Sequence, residues 1–478
     1  MRSLLQKFGL LGVGLLAGVA ISLNYPAIAE KLEQAGNGEA ATAPLPVEEL
    51  RSFADVYGAI KQGYVEPIDD KKLITYAISG MLANLDPHST YLDAEELKEL
   101  QVSTQGEFGG LGLEVGMEDG LVKVVSPIED TPAFRAGLKP GDLIIKLDDT
   151  LVKGMTLTEA VKKMRGKPKT QIRLTVLRKG ENKPLEFTLT REIIKVQSVK
   201  SKLLDGDYGY LRITQFQEET NAELAKHINK LAKQDKAGLK GLVLDLRNNP
   251  GGLLTSAVGV SAAFLPPKVL VTSTDGRTED AKRKFIASPE DYQRGRKDDV
   301  LKDLPPLVKT VPLVVLVNGG SASASEIVSG ALQDHKRAIV MGTQTFGKGS
   351  VQTVIPLSSN TAIKLTTARY YTPSGRSIQA KGITPDILVE ETPNGVSRGA
   401  FLREADLDRH LNNDKEPDAE TRPEAKPEAK PDSKSRGGKK DKSDEDDTAR
   451  APIEFASKND YQLSQALNLL KALQIVKH

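Results

Sequence analysis

The chain has no cysteine and no tryptophan among its 478 residues. Without thiols there are no disulfide staples, no thiolate nucleophile, no cysteine-held zinc and no iron–sulfur cluster. Histidine is scarce too. The five are His88, His227, His335, His410 and His478, and none forms the close pair of an H-E-x-x-H helix. No metal and no cofactor are therefore expected. Neither sign of charge prevails: 66 Lys+Arg stand against 64 Asp+Glu, a net +2, which gives no electrostatic footing for nucleic acid. With 39% hydrophobic and 27% charged residues the composition is that of a soluble protein, not of a polytopic membrane one. Any chemistry falls to Ser, Thr, Lys, Asp, Glu or Tyr.

At roughly 100–200 residues per domain, this length predicts two to four domains. Arg2 and Lys7 precede an apolar stretch from Phe8 to Leu23, and Ala27-Ile28-Ala29 follows. A basic start, an apolar run and a small-x-small site read as a secretory signal peptide over residues 1–29. The alternative is a retained anchor helix, since the run is only slightly short of a span of about 20 residues. Either way the remainder is exported, and a cysteine-free chain suits an oxidising compartment. The expected location is periplasmic, with membrane association if the anchor stays.

Residues 30–46 are small, polar and proline-containing, a linker. From Val47 apolar residues recur at Leu50, Phe53, Tyr57, Ile60 and Tyr64, one helical stripe. A second helix follows Asp70 and stops at Asp86-Pro87, where the residue before proline is driven from the α region. Residues 47–103 read as a helical domain. Between 104 and 194 the period changes to short alternating strands, with hairpin chemistry at Asp119-Gly120 and one helix from Thr156 to Met164. From 195 to 402 strands alternate with helices. The near-continuous apolar runs at Gly241–Leu246 and Leu313–Val317 mark strands covered on both faces, hence an α/β layer.

The stretch at 403–452 reads as a disordered charged linker. Of the 40 residues from Asn412 to Ala451, 22 are charged, and none is Val, Ile, Leu, Met, Phe, Tyr or Trp. Residues 453–478 hold an amphipathic helix with Leu463, Ala466, Leu467, Leu470 and Leu473 on one face. Its partner is either its own core or another chain. The fold class is thus α+β multidomain.

Three segments carry chemistry. Gly319-Gly320-Ser321-Ala322-Ser323-Ala324-Ser325-Glu326 joins a buried strand to a helix, where free N–H groups and the positive dipole end favour developing negative charge. A capping box of Ser323 with Glu326 explains the same residues without catalysis. The run from Gly342 to Ser350 resembles a phosphate loop. However, Gly349 stands where Ser or Thr should hold magnesium, and a strand follows where a helix is needed. Lys348 is then either an exposed loop lysine or, if buried beside Ser323, a general base. Gln352, four residues on, would share its face in an extended chain and could hold the amine. In Asp245-Leu246-Arg247-Asn248-Asn249-Pro250-Gly251-Gly252 the glycines either make a tight turn or let backbone N–H groups approach a ligand. Beside a nucleophile, Gly251 or Gly252 would give one oxyanion donor and Ala324 the other.

Together these segments resemble the carboxyl-terminal processing (tail-specific) proteases, PDZ-containing serine peptidases with a Ser–Lys dyad, over roughly Val47 to Pro393. Asn84-Leu85-Asp86-Pro87-His88-Ser89-Thr90-Tyr91-Leu92 is similar to a signature of that family. Phe108-Gly109-Gly110-Leu111-Gly112-Leu113 is similar to the carboxylate-binding loop of a PDZ domain, and Ala136 to Asp142 to its later turn. The resemblance implies Ser323 as nucleophile, Lys348 as base and Gln352 as third member, on a Clp-protease/crotonase-like core. It implies a structural role for His88. It further implies that Gly110, Leu111, Gly112 and Leu113 capture a substrate carboxylate, with Leu111, Leu113 and Leu143 favouring an apolar terminal residue. Gated activity and an activating adaptor protein follow from the same likeness. Self-association through the N- and C-terminal helices is also expected. Two other classes compete: a non-catalytic PDZ tail-binding scaffold, and an acyl-CoA enzyme of crotonase type, against which the export signal argues.

Overall fold

The computed structural model describes residues 46–128, 130–205, 207–234, 238–293, 295, 298–357, 360–393, 402–415 and 454–476. The signal peptide, nearly all of the linker at 30–46 and residues 416–453 of the charged stretch lie outside the described residues. The chain divides into two compact units, with the boundary between Tyr76 and Ala77.

In the first unit the 3–4 spacing produces a helix at Val47–Gly63, with Glu48 and Glu49 in its first turn and Lys61 in its last, as the macrodipole favours. Lys61 donates to the Ile68 carbonyl and pairs with Asp70 at 2.6 Å, closing the turn into the helix Asp70–Ala83. The first helix buries none of its residues. Of its apolar stripe, Leu50, Phe53 and Tyr64 stay 50%, 47% and 58% exposed, while Tyr57 and Ile60 are half-buried.

The second unit begins before the β-rich module expected at 104. Thr90–Leu92 pairs with Ala362–Tyr371, so residues 77–103, grouped by sequence with the helical domain, contribute a strand to the larger unit. The β-rich module follows. Its sheet runs Leu113–Glu118, Leu121–Pro127, Leu143–Leu147, Gln171–Leu177 and Leu185–Thr190, all antiparallel in that order. Leu113–Glu118 is an edge strand, and an unpaired edge is a template for a further strand. Leu157–Met164 is a helix held at its start by a reciprocal box between Thr156 and Glu159.

The α/β layer has six strands in the order Val199–Leu204, Tyr208–Ile213, Gly241–Asp245, Leu313–Val317, Ile339–Gly342 and Ile387–Leu388. All but the first run parallel. Alternate side chains explain the continuous apolar runs. Leu242, Leu244, Val315 and Val317 pack with the helices Thr220–Gln234, Leu254–Phe264 and Ala324–Asp334. Val243, Val314 and Leu316 face the opposite way, onto Leu463, Ala466 and Leu470 of the helix Tyr461–Val476. The apolar face of the C-terminal helix is therefore spent on its own core, which removes it as the self-association surface expected from the sequence.

The disordered linker expected from 403 starts too early. Glu404 is fully buried, and Gln379 donates to it at 2.9 Å. Asp414 takes the Tyr371 hydroxyl at 2.6 Å and that of Ser377 at 2.9 Å. Polar residues hold residues 402–415 on the core, and an apolar count does not register them.

Candidate active site

The turn between Leu313–Val317 and Ala324–Asp334 presents three serines, two of which are already engaged. The Ser321 hydroxyl donates to the Leu246 carbonyl and accepts the Asn318 N–H, while that of Ser325 donates to the Asn249 carbonyl. Ser323 stands at the helix N-cap with φ +54°, a conformation sparsely populated by non-glycine residues and concentrated at functional sites. Capping and nucleophile geometry coexist here. The Glu326 carboxylate takes the Ser323 N–H at 2.8 Å, yet Ser323 still lines a cleft of about 340 Å³ with Gly252, Leu253, Ile327, Gln352 and Tyr370.

Glu326 does more than cap. The same Oε2 accepts the Lys348 N–H at 2.9 Å, and Oε1 accepts the Gly347 N–H at 2.7 Å and the Thr345 hydroxyl at 2.6 Å. One buried oxygen thus ties the backbones of both expected dyad members. Burial pushes the Glu326 carboxyl up to about 7, against four donors that favour the anion. The sequence flagged Glu326 only as a capping partner.

Gly252 and Ala324 line the same cleft as Ser323. Phe216 donates to the Gly251 carbonyl at 2.9 Å and accepts the Leu253 N–H at 2.8 Å, a parallel bridge that turns the Gly252 N–H away from Phe216. Neither Gly252 nor Ala324, the first residue of its helix, gives its N–H to an acceptor among the described residues. Gly251 is different: its N–H donates to Asn249 Oδ1 at 2.9 Å, so it is not an oxyanion donor. Its φ of +103° and a Cβ position 2.8 Å from Ser323 Cβ show why glycine stands there.

Lys348 follows in a loop whose peptide groups are held by backbone and side chains together: the Thr345 and Phe346 N–H groups go to the Ile383 and Ser321 carbonyls, and the Gly347 and Gly349 carbonyls accept from Ala380 and Tyr370. Besides Glu326, Gln379 Oε1 takes the Gly349 N–H at 3.0 Å, and the Tyr370 hydroxyl donates to the Lys348 carbonyl. Burial, aided by Lys364, lowers the Lys348 amine to about 8, with Glu404, Asp86 and Glu326 opposing. That amine makes no hydrogen bond or ion pair with any described residue, Ser323 included. Ser323 and Tyr370 line the same cleft.

Gln352 does not reach Lys348 either. Its amide donates to the Ser350 hydroxyl at 3.0 Å and that of Thr366 at 3.1 Å. The strand Ser350–Pro356 starts only after Lys348, so the extended geometry that would put the two on one face does not reach back to the lysine. Thr366 donates to Asp86, which also takes the Ser89 hydroxyl at 2.6 Å. His88 Nε2 lies 2.8 Å from Glu404, which holds Gln379 and through it Gly349. The segment at 84–92 therefore braces both the Lys348 loop and Gln352.

In the β-rich module a groove of about 70 Å³ runs between the edge strand and the helix Leu157–Met164, lined by Gly110, Leu111, Leu113, Val115, Val161 and Met164. The N–H groups of Leu111 and Gly112 have no acceptor among the described residues. Gly112 has φ +77°, and a Cβ there would fall 2.2 Å from Thr131 Cβ. Leu143, expected to line this groove, sits on an inner strand opposite Lys123 and Leu177; Val161 and Met164 take its place.

Residues 207–389 match peptidase family S41, residues 109–190 the PDZ domain, and residues 16–96 the activating protease CtpB N-terminal domain. A carboxy-terminal-processing protease of Bartonella bacilliformis is 49% identical over 407 residues, covering 84% of this chain and 88% of the relative. Carboxy-terminal processing protease CtpA of Bacillus subtilis is 38% identical over 356 residues, 74% of this chain and 71% of that one. A solved structure, the photosystem II D1 C-terminal processing protease, is 32% identical, covers 71% of this chain and 87% of its own, and has a TM-score of 0.41.

Proposed function

Since the chain belongs to the carboxy-terminal processing proteases, serine-type peptidases of family S41 with a PDZ domain, we propose that it is an exported endopeptidase cutting by a Ser–Lys mechanism. A substrate tail adds as a strand beside Leu113–Glu118, its carboxylate meeting the free N–H groups of Leu111 and Gly112 and its apolar end entering the groove. Lys348 Nζ takes the proton of Ser323, whose Oγ bonds to the scissile carbonyl carbon. The oxygen so charged accepts from the Gly252 and Ala324 N–H groups. As the carbon–nitrogen bond breaks, the leaving amine takes the proton from Lys348. Water, deprotonated by Lys348 Nζ, then bonds to the acyl carbon, and the Ser323 Oγ leaves it and takes that proton back from Lys348.

The observation that carries this reading is the pairing, through Glu326, of a positive-φ serine with a lysine brought to about 8 by burial. Gating is supported by the Lys348 amine standing without a hydrogen-bond or ion-pair partner among the described residues, which is what a latent form would hold. The partly uncovered stripe of Val47–Gly63 supports self-association through the N-terminal helix, and an activating adaptor would act on the latent form. Export rests on residues 1–29; fusion of that segment to a periplasm-dependent phosphatase tests it. For the chemistry, the full chain is incubated with an unstructured polypeptide ending in apolar residues, alongside Ser323→Ala and Lys348→Ala. Cleavage by the unmutated chain alone is expected, and equal cleavage by all three would remove the dyad.

A further inference from the structure

The loop that carries Gly252 leaves the strand Gly241–Asp245 through Arg247, a guanidinium only 2% exposed. All five of its N–H bonds are used. Nε and one Nη2 hydrogen go to the two oxygens of Asp245, at 2.9 and 2.7 Å. The other three reach the C-terminal segment: Asp460 Oδ1 at 2.9 Å, Asp460 Oδ2 at 2.6 Å and Gln462 Oε1 at 3.0 Å. Asp245 is itself fully buried, takes the Arg247 N–H at 3.0 Å and the Tyr210 hydroxyl at 2.7 Å, and lies 3.8 Å from Arg212. Gln462 is anchored in turn by donating to the Val389 carbonyl at 2.7 Å.

Arg247 is thereby the back anchor of a loop whose front is held by Asn248 and Asn249. The Asn248 N–H donates to Asn318 Oδ1, the Asn249 side chain to the Ile213 carbonyl, and the Asn249 carbonyl accepts from Ala322. Remove the partners from position 460 onward and three buried guanidinium hydrogens lose their acceptors. A buried group so orphaned moves toward water, and it can do so only by taking the backbone of 247 with it. We propose that Asp460 and Gln462, more than 200 residues along the chain from Arg247, are positioning residues for the Gly252 loop and act through that guanidinium. The C-terminal helix is then a working part of the oxyanion geometry as well as a cover for the sheet. The kinetic consequence rests on the Ser323 reading above; the structural one does not.

The test uses the full chain carrying Asp460→Asn, with Gln462→Ala as a second, milder variant. Asp460 also accepts the Leu463 N–H at 3.0 Å, and Asn preserves that cap while turning an amide donor toward Arg247. Amide hydrogen exchange is expected to quicken about tenfold in the peptide covering 247–252, with Gly241–Asp245 and Leu313–Val317 unchanged. On an internally quenched peptide, kcat is expected to fall about tenfold with KM within about twofold, and adding Asp460→Asn to Arg247→Ala should cost nothing further. Exchange at 247–252 equal to that of the unmutated chain would overturn the proposal, as would quickening spread evenly over the sheet, or kinetic losses that add. If the unmutated chain cleaves nothing, the protease reading fails, while the exchange measurement still decides this one.

Discussion

Whether Lys348 is a base can be read from its proton. An ordinary lysine near 10.5 has about one amine in three thousand neutral at pH 7, whereas one at about 8 has about one in ten. Burial thus raises the working population about 300-fold, equivalent to about 3 kcal/mol. kcat/KM, measured on an internally quenched peptide from pH 6 to 10, should rise with unit slope and level off above about 8. Two variants sharpen the test because they push in opposite directions. Lys364 is a like charge that helps depress the Lys348 amine, so Lys364→Met should move the midpoint to higher pH. Glu404 opposes the depression, so Glu404→Gln should move it lower. Each displacement should be under about one pH unit, since burial outweighs both charges. A flat profile between pH 6 and 9, or two midpoints moving the same way, would refute a lysine base.

The same burial costs stability. Because the folded amine lies below its unfolded value, the cost is full below about pH 8, fades between 8 and 10.5 and is absent above. Lys348→Met should therefore raise the melting temperature at pH 7 by the equivalent of up to about 3 kcal/mol, with the gain gone near pH 11, while abolishing cleavage. Glu326→Gln places an amide NH2 against N–H donors, so kcat should fall about a hundredfold and stability by a few kcal/mol; a variant with the parent's kcat would deny Glu326 its tie between Ser323 and Lys348. Gly112→Ala meets Thr131 and a positive φ, so the binding of apolar-tailed peptides, followed by fluorescence anisotropy, should be lost while the core's melt is unchanged.

The structure brings Ser323 and Gly252 to one cleft and ties Ser323 to the Lys348 backbone through Glu326, and each of the three stands at a local break that glycine and serine announce. The failures have local causes. Gly251 reads like Gly252 until Asn249 folds back to take its N–H, a side-chain choice that spacing does not encode. Gln352 reads as facing Lys348 only if the chain is extended from 348 onward, and the strand begins at Ser350. The segment at 402–415 looked unstructured because its contacts are polar, and Arg247 looked like a turn residue because its partners lie beyond a charged stretch with no apolar signal. The apolar stripes of Val47–Gly63 and Tyr461–Val476 are alike in sequence, yet one is partly exposed and the other covered by Val243, Val314 and Leu316. Periodicity gives a face, and only the fold says what lies against it.

A dry amine imposes a requirement on everything around it. To lower Lys348 the loop from 345 to 349 must leave solvent, and each of its peptide groups then needs a partner, which neighbouring backbone supplies only in part. Glu326 takes two of the N–H groups, Gln379 takes a third, and Tyr370 binds the carbonyl. One of those partners is shared with Ser323: Glu326 also holds its N–H. The loop that keeps the amine dry therefore cannot shift without shifting the serine. A displacement of Glu326 would disturb the Ser323 N–H and the Lys348 loop in the same step.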